Sequence, residues 1–117
     1  MSKPLPLLDD SCTPVARAVM PDGEAAELAR MFKAVGDPVR LKLLSMIASD
    51  GRGEVCVCDL TEAFTLTGPT ISHHLKVLRD AGLITSERRA SWVYYRAVPE
   101  TLARLSAVLA PMSAAVA

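Results

Sequence analysis

The stretch Thr67–Gly82, TGPTISHHLKVLRDAG, decides the fold. At about 100° per residue, Ile71, His74, Leu75 and Leu78 gather on one side of a helix, and Pro69, Ser72, His73, Lys76 and Asp80 lie opposite. Thr67 fits the N-cap, Pro69 falls in the first turn where its missing N–H costs nothing, and Ala81-Gly82 supplies a glycine stop. Such a helix buries one stripe and keeps a polar face outward. Ser72 and His73, nearest its start, are placed to meet base edges, with Thr67, Thr70 and Lys76 flanking them toward phosphate. His74 shares the apolar side and reads as a hydrogen-bonded core histidine. An ordinary surface helix has the same two-sided pattern, so its neighbours must decide.

Asp59–Phe64 predicts a short helix, and Thr65-Leu66-Thr67-Gly68 a turn into the longer one. After it, Leu83–Arg88 and Ser91–Ala97 are β-prone runs joined near Arg89-Ala90, with Trp92, Tyr94 and Tyr95 expected in the core of the hairpin. Short helix, turn, long helix and hairpin is the winged helix-turn-helix order, in which the second helix enters the major groove. Arg88 and Arg89 at the hairpin tip suit phosphate or minor-groove contact.

Upstream, Leu28, Met31, Phe32 and Val35 form one stripe of a helix from Glu24 to Val35. Asp37 can cap the next helix, Pro38 to about Ala48, which carries Leu43, Leu44 and Ile47. Pro99 opens a last helix striped by Leu102, Leu105, Leu109 and Met112. Residues 1–21 hold four of the eight prolines and read as a flexible arm carrying Cys12. The expected organisation is therefore arm 1–21, domain 22–112 and tail 113–117.

Composition agrees with packed helices: 50% of the 117 residues are hydrophobic and only 4% aromatic. The fold class expected is mainly α with a β-hairpin. A chain this short buries a modest fraction of its surface, so dimerisation would help it. Net charge is zero, but residues 1–66 hold 7 basic and 10 acidic side chains, whereas 67–98 hold 5 and 2. The second segment thus carries the positive excess that phosphate contact wants. No signal-peptide pattern or membrane-length apolar run is present, which points to the cytoplasm and to reduced thiols.

Eleven positions before Thr67 stands Cys56-Val57-Cys58. Thiolates favour soft ions, and As(III) takes three of them in a pyramid. Residues two apart share a face in an extended segment but stand about 200° apart in a regular helix. Ion capture is therefore expected to need a locally unwound start to the short helix, whose N-terminus should lower the thiol pKa. The same thiols could instead be oxidised, or serve as small buried hydrophobes. An enzyme is not expected, because the chain lacks a βαβ pattern, a phosphate-cradling loop and a Cys-x-x-Cys motif. A non-DNA interaction module is the other alternative.

Asp37-Pro38-Val39-Arg40, Val55–Leu60, Thr70–Arg79, Ala81-Gly82-Leu83 and Trp92–Arg96 occur in an order that resembles the ArsR/SmtB family of metal-responsive repressors. The resemblance covers residues 24 to about 110. It implies a homodimer whose first and last helices pack across the two-fold, bound to double-stranded operator DNA and released by an inducer. Arsenic-type members often place a third cysteine where this chain has Thr61, which leaves Cys12 to join Cys56 and Cys58 around As(III) or Sb(III). Cd(II), Pb(II) or thiol oxidation are the alternative signals, and no cofactor is required. Zinc-sensing relatives carry Asp and His ligands in the last helix, and Pro99–Met112 has neither. Members often carry Ser-Gln where this chain has Thr67-Gly68, so the bidentate adenine contact of a glutamine amide is missing.

Overall fold

Proline and its neighbours set the helix starts. The computed structural model describes residues 19–110; residues 1–18 with Cys12, and 111–117 with Met112, lie outside these residues. Helix α1, Asp22–Val35, follows Pro21 and carries Asp22 and Glu24 in its first turn and Lys33 in its last, each favourable to the helix dipole. It starts two residues before Glu24 and buries Leu28, Met31 and Ala34, with Phe32 and Val35 half-buried. Helix α2, Pro38–Ser49, is capped as expected: Asp37 Oδ2 accepts from the backbone N–H of Val39 at 2.9 Å and of Arg40 at 3.1 Å. Leu43, Leu44 and Ile47 are its buried stripe.

The central pair is α3, Val57–Glu62, and α4, Gly68–Asp80. Thr67 caps α4 by accepting from Thr70 N–H at 3.4 Å. Ile71, Leu75 and Leu78 are at most 1% exposed, so the wheel drawn from sequence holds. At the far end Gly82 adopts φ +81°, a conformation glycine takes without a Cβ penalty. There Gly82 N–H donates to Arg79 O at 2.9 Å and Leu83 N–H to Leu78 O at 3.1 Å, the paired bonds of a Schellman stop. Leu83, fully buried, then leads the chain into the sheet.

Strands β2, Ile84–Arg89, and β3, Trp92–Ala97, are antiparallel with Arg89 opposite Trp92. The loop is therefore Ala90-Ser91, one residue later than the turn expected at Arg89-Ala90. Ala90 takes φ 55°, the left-handed conformation that tight hairpin loops require. Tyr95 is buried and Val93 and Tyr94 are half-buried, whereas Trp92 is 50% exposed and is not part of the wing core. A third strand, β1, Val55–Cys56, pairs on the other side of β3, with Val55 opposite Tyr95 and Cys56 opposite Tyr94. The polar–apolar alternation of Glu54–Cys58 predicts a brief extended segment; it ends at Cys56, and α3 begins two residues before the expected Asp59.

Helix α5, Pro99–Leu109, buries Thr101 and Leu105 and leaves Leu109 72% exposed. It touches α1 within the same chain, where Arg104 Nη2 lies 3.1 Å from Glu27 Oε1. The whole is a mainly helical winged helix-turn-helix with a three-stranded antiparallel sheet.

Candidate functional site

Helix α4 presents Ser72, His73 and Lys76 to solvent, opposite its buried stripe. Ser72 and His73 have no side-chain hydrogen bond among the described residues, so their polar atoms are free for another partner. Thr67 and Thr70 are exposed too, but their hydroxyls lie 2.9 Å apart and serve the helix cap. Lys76 Nζ sits 2.8 Å from Asp80 Oδ2 one turn on, and this pairing holds the Asp80 carboxyl below its usual range. Both side chains are more than half exposed, so the pair is weak and open to competition. His74 is half-buried with Nδ1 3.2 Å from Arg40 Nη1, as a satisfied inner histidine should be. Arg40 is an unanticipated partner; its Nε also donates to Ala34 O, tying the start of α2 to α1 and α4.

The wing treats its two arginines differently. Arg88 is exposed and makes no ion pair among the described residues. Arg89 grips Glu54 through two parallel bonds, Nη1 to Oε2 at 2.7 Å and Nη2 to Oε1 at 2.8 Å, and reaches Glu87 at 2.9 Å. Its guanidinium lies over the Tyr94 ring, 4.5 Å from the centroid. Arg96 adds two further bonds to Glu54 Oε1, at 3.0 and 3.3 Å. The bonds from Arg89 and then Arg96 outweigh desolvation and hold the Glu54 carboxyl at about 2; the Arg89 guanidinium is correspondingly pushed above its ordinary value by Glu54 and Glu87. Neither Glu54 nor Arg96 was singled out by sequence, because Glu54 lies 35 residues from Arg89 and no local spacing links them.

Cys56 and Cys58 come together at the junction of β1 and α3. Cys56, buried, is the N-cap residue at φ −72° and ψ 142°, and its Sγ accepts from Cys58 N–H at 3.4 Å. Cys58 Sγ points to Cys56 Sγ at 2.7 Å, and both are free thiols. The pair straddles a strand-to-helix boundary, so the 200° separation of a regular helix does not apply and no unwinding is needed to bring the sulfurs together. The Cys58 thiol is raised, not lowered: its contact with Cys56 leads, followed by burial, with Asp59 adding to the effect. These outweigh the lowering effect of the Asp59 backbone N–H. Thr61 is occupied, donating its hydroxyl to Cys58 O at 3.0 Å. Among the described residues no group of three His, Cys, Asp or Glu side chains converges on a metal-sized site. The chemistry of the donor set suits a soft ion, with two sulfurs in place and a third donor still required. Cys12 lies outside the described residues.

No helix among the described residues is long and apolar enough to cross a membrane. Comparison with known proteins gives consistent matches. The family described as "Bacterial regulatory protein, arsR family" matches residues 37–86, from the α2 cap into the wing. An arsenic resistance transcriptional regulator of Pseudomonas putida is 39% identical over 98 residues, covering 81% of this chain and 75% of the relative. An arsenical resistance operon repressor of Bacillus subtilis is 48% identical over 64 residues, 55% of this chain and 59% of the relative's length. Among solved structures, the homodimeric winged helix-turn-helix DNA-binding domain of a possible ArsR-family regulator from Mycobacterium bovis superposes with TM-score 0.60 at 31% identity, covering 82% of this chain and 89% of that one. The chain belongs to the arsR family of bacterial regulatory proteins.

Proposed function

We propose that the chain is a cytoplasmic, homodimeric transcriptional repressor that releases its operator when As(III), or Sb(III), binds its cysteines. The observation that carries this reading is the meeting of Cys56 and Cys58 at the cap of α3, the helix that precedes the DNA-reading helix α4. An ion shared by both sulfurs and a third donor draws Cys56 Sγ toward itself and so weakens its long cap contact, 3.4 Å, to Cys58 N–H. Helix α3 has six residues, too few to hold itself without its ends and packing, so its cap matters to the placement of α4. The ion therefore favours a state in which the pair of helices is displaced from its DNA-fitting arrangement.

Trivalent arsenic in water is As(OH)3, and each As–S bond forms as a thiol proton leaves with a hydroxide as water. Cys12 from the arm supplies the third sulfur. The arsenic-resistance roles named for the Pseudomonas and Bacillus relatives support this choice of inducer.

On DNA, Ser72 and His73 read base edges, Thr67, Thr70 and Lys76 face phosphate, and Arg88 leads the wing contact with Arg89 behind it. The dimer forms through α1 and α5, whose exposed Leu109 needs cover, and it sets recognition helices about 34 Å apart on one face of the duplex. No cofactor takes part.

Operator titration with and without As(III), with bound arsenic counted by mass, tests the reading. Operator affinity should fall when arsenic is bound in the wild type and stay constant in Cys56→Ser and Cys58→Ser. Unchanged wild-type affinity with arsenic bound would overturn it.

A further inference from the structure

We propose that Glu54 is the positioning residue that makes the wing follow the thiol pair. The inference rests on the reading above and names the route by which ion binding reaches the hairpin. Glu54 stands two residues before Cys56, and the extended backbone between them sends both side chains to one face of the sheet. Strand β1 has only two residues, so backbone pairing ties it weakly to β3.

The Glu54 carboxylate reinforces that tie across the whole sheet. It accepts two bonds from Arg89 on β2 and two from Arg96 on β3. Arg89 also lies over Tyr94, the β3 residue opposite Cys56. Contacts thus run from Cys56 through Tyr94 and Arg89 to Glu54 and back along the chain to Cys56. Arg89 is the last residue before the hairpin loop, next to Arg88 and opposite Trp92. A shift of the Cys56 backbone carries Glu54 with it, and Glu54 pulls the hairpin tip.

Exposed ion pairs contribute little to stability. The 22% exposed Glu54 and 39% exposed Arg89 side chains therefore matter for the direction in which the tip is held rather than for folding. The surroundings of Trp92, the one tryptophan in the chain and half exposed at that tip, should change when the tip moves.

The experiment uses the full chain as wild type, Glu54→Gln, Arg89→Ala and the double variant. Each is titrated with As(III) while Trp92 emission and operator affinity are followed, and unfolding midpoints confirm that every variant is folded. In the wild type As(III) should shift Trp92 emission and weaken operator binding about 5- to 150-fold. Glu54→Gln should bind As(III) with the same stoichiometry, lose the emission shift and weaken on operator by a clearly smaller factor. The double variant should show the same residual coupling as Arg89→Ala alone, since Glu54 reaches the tip through its paired bonds to Arg89. Wild-type coupling and emission response retained in Glu54→Gln would overturn the role of Glu54. A wild type that binds As(III) without any loss of operator affinity would instead overturn the underlying reading, and this inference with it.

Discussion

The polar face of α4 and the wing are both proposed to meet DNA, yet they hold their polar groups on opposite terms. Ser72 and His73 have no side-chain hydrogen bond among the described residues, whereas Arg89 and Arg96 are bound to Glu54. A group with no partner loses only water when it meets a base, while a paired cation must first leave its carboxylate. The five basic residues of the segment 67–98 therefore overstate its available charge. Lys76 and Arg79 lie beside Asp80, and Arg89 and Arg96 beside Glu54, which leaves Arg88 as the unpaired cation among them in the described residues. The wing is a braced element first and a charged one second.

The comparison can be broken most severely in the core beneath α4. Leu78→Ala should cost about 2–5 kcal/mol in denaturant unfolding, since that side chain is fully buried. Trp92→Ala at the exposed wing tip should stay within about 0.5 kcal/mol of wild type by the same measurement. A wing-tip loss as large as the core loss would place Trp92 in packing the fold does not show.

Next in size is the reading face. His73→Ala should weaken operator binding by about 1–3 kcal/mol and affect random DNA less, so the specificity ratio falls. Equal loss on both sequences would move His73 from base reading to phosphate contact. Arg88→Ala should weaken all sequences alike and lower the slope of log affinity against log salt by about one. Lys76→Met should change that slope less than Arg88→Ala, because Asp80 already offsets part of the lysine's charge. A Lys76 effect equal to that of Arg88 would show that the Asp80 pair opens freely on DNA.

How much of this was legible beforehand follows from the range of the signals. The stripes of α1, α2 and α4, the Asp37 and Thr67 caps and the Gly82 stop are written within one or two turns of chain, and they were readable. So was His74, whose place on the apolar side called for a hydrogen-bond partner, though not which one. The alternation of Glu54–Cys58 hinted at strand β1, but its end at Cys56 and its place beside β3 are set by pairing across about 40 residues. Trp92 was expected inside from its residue type alone, but as the first residue of β3, beside the loop, it is half exposed.

The thiol pair shows the same division. Its residue types pointed to soft-ion chemistry, but the Cys56 cap position, the meeting of the sulfurs and the raised Cys58 thiol depend on a boundary between strand and helix. Element boundaries are what sequence patterns locate least well. The Glu54 brace was out of reach for a different reason: it joins residues 35 and 42 positions apart.

The measurement that bears most directly on the switch is the affinity of As(III) for the dimer free in solution and for the same dimer on its operator. If arsenic loosens DNA by displacing α3 and α4, linkage requires operator to loosen arsenic by the same factor, expected at about 5- to 150-fold. Equal arsenic affinity in the two states would mean that the sulfurs and the reading helix do not communicate, and would contradict the account.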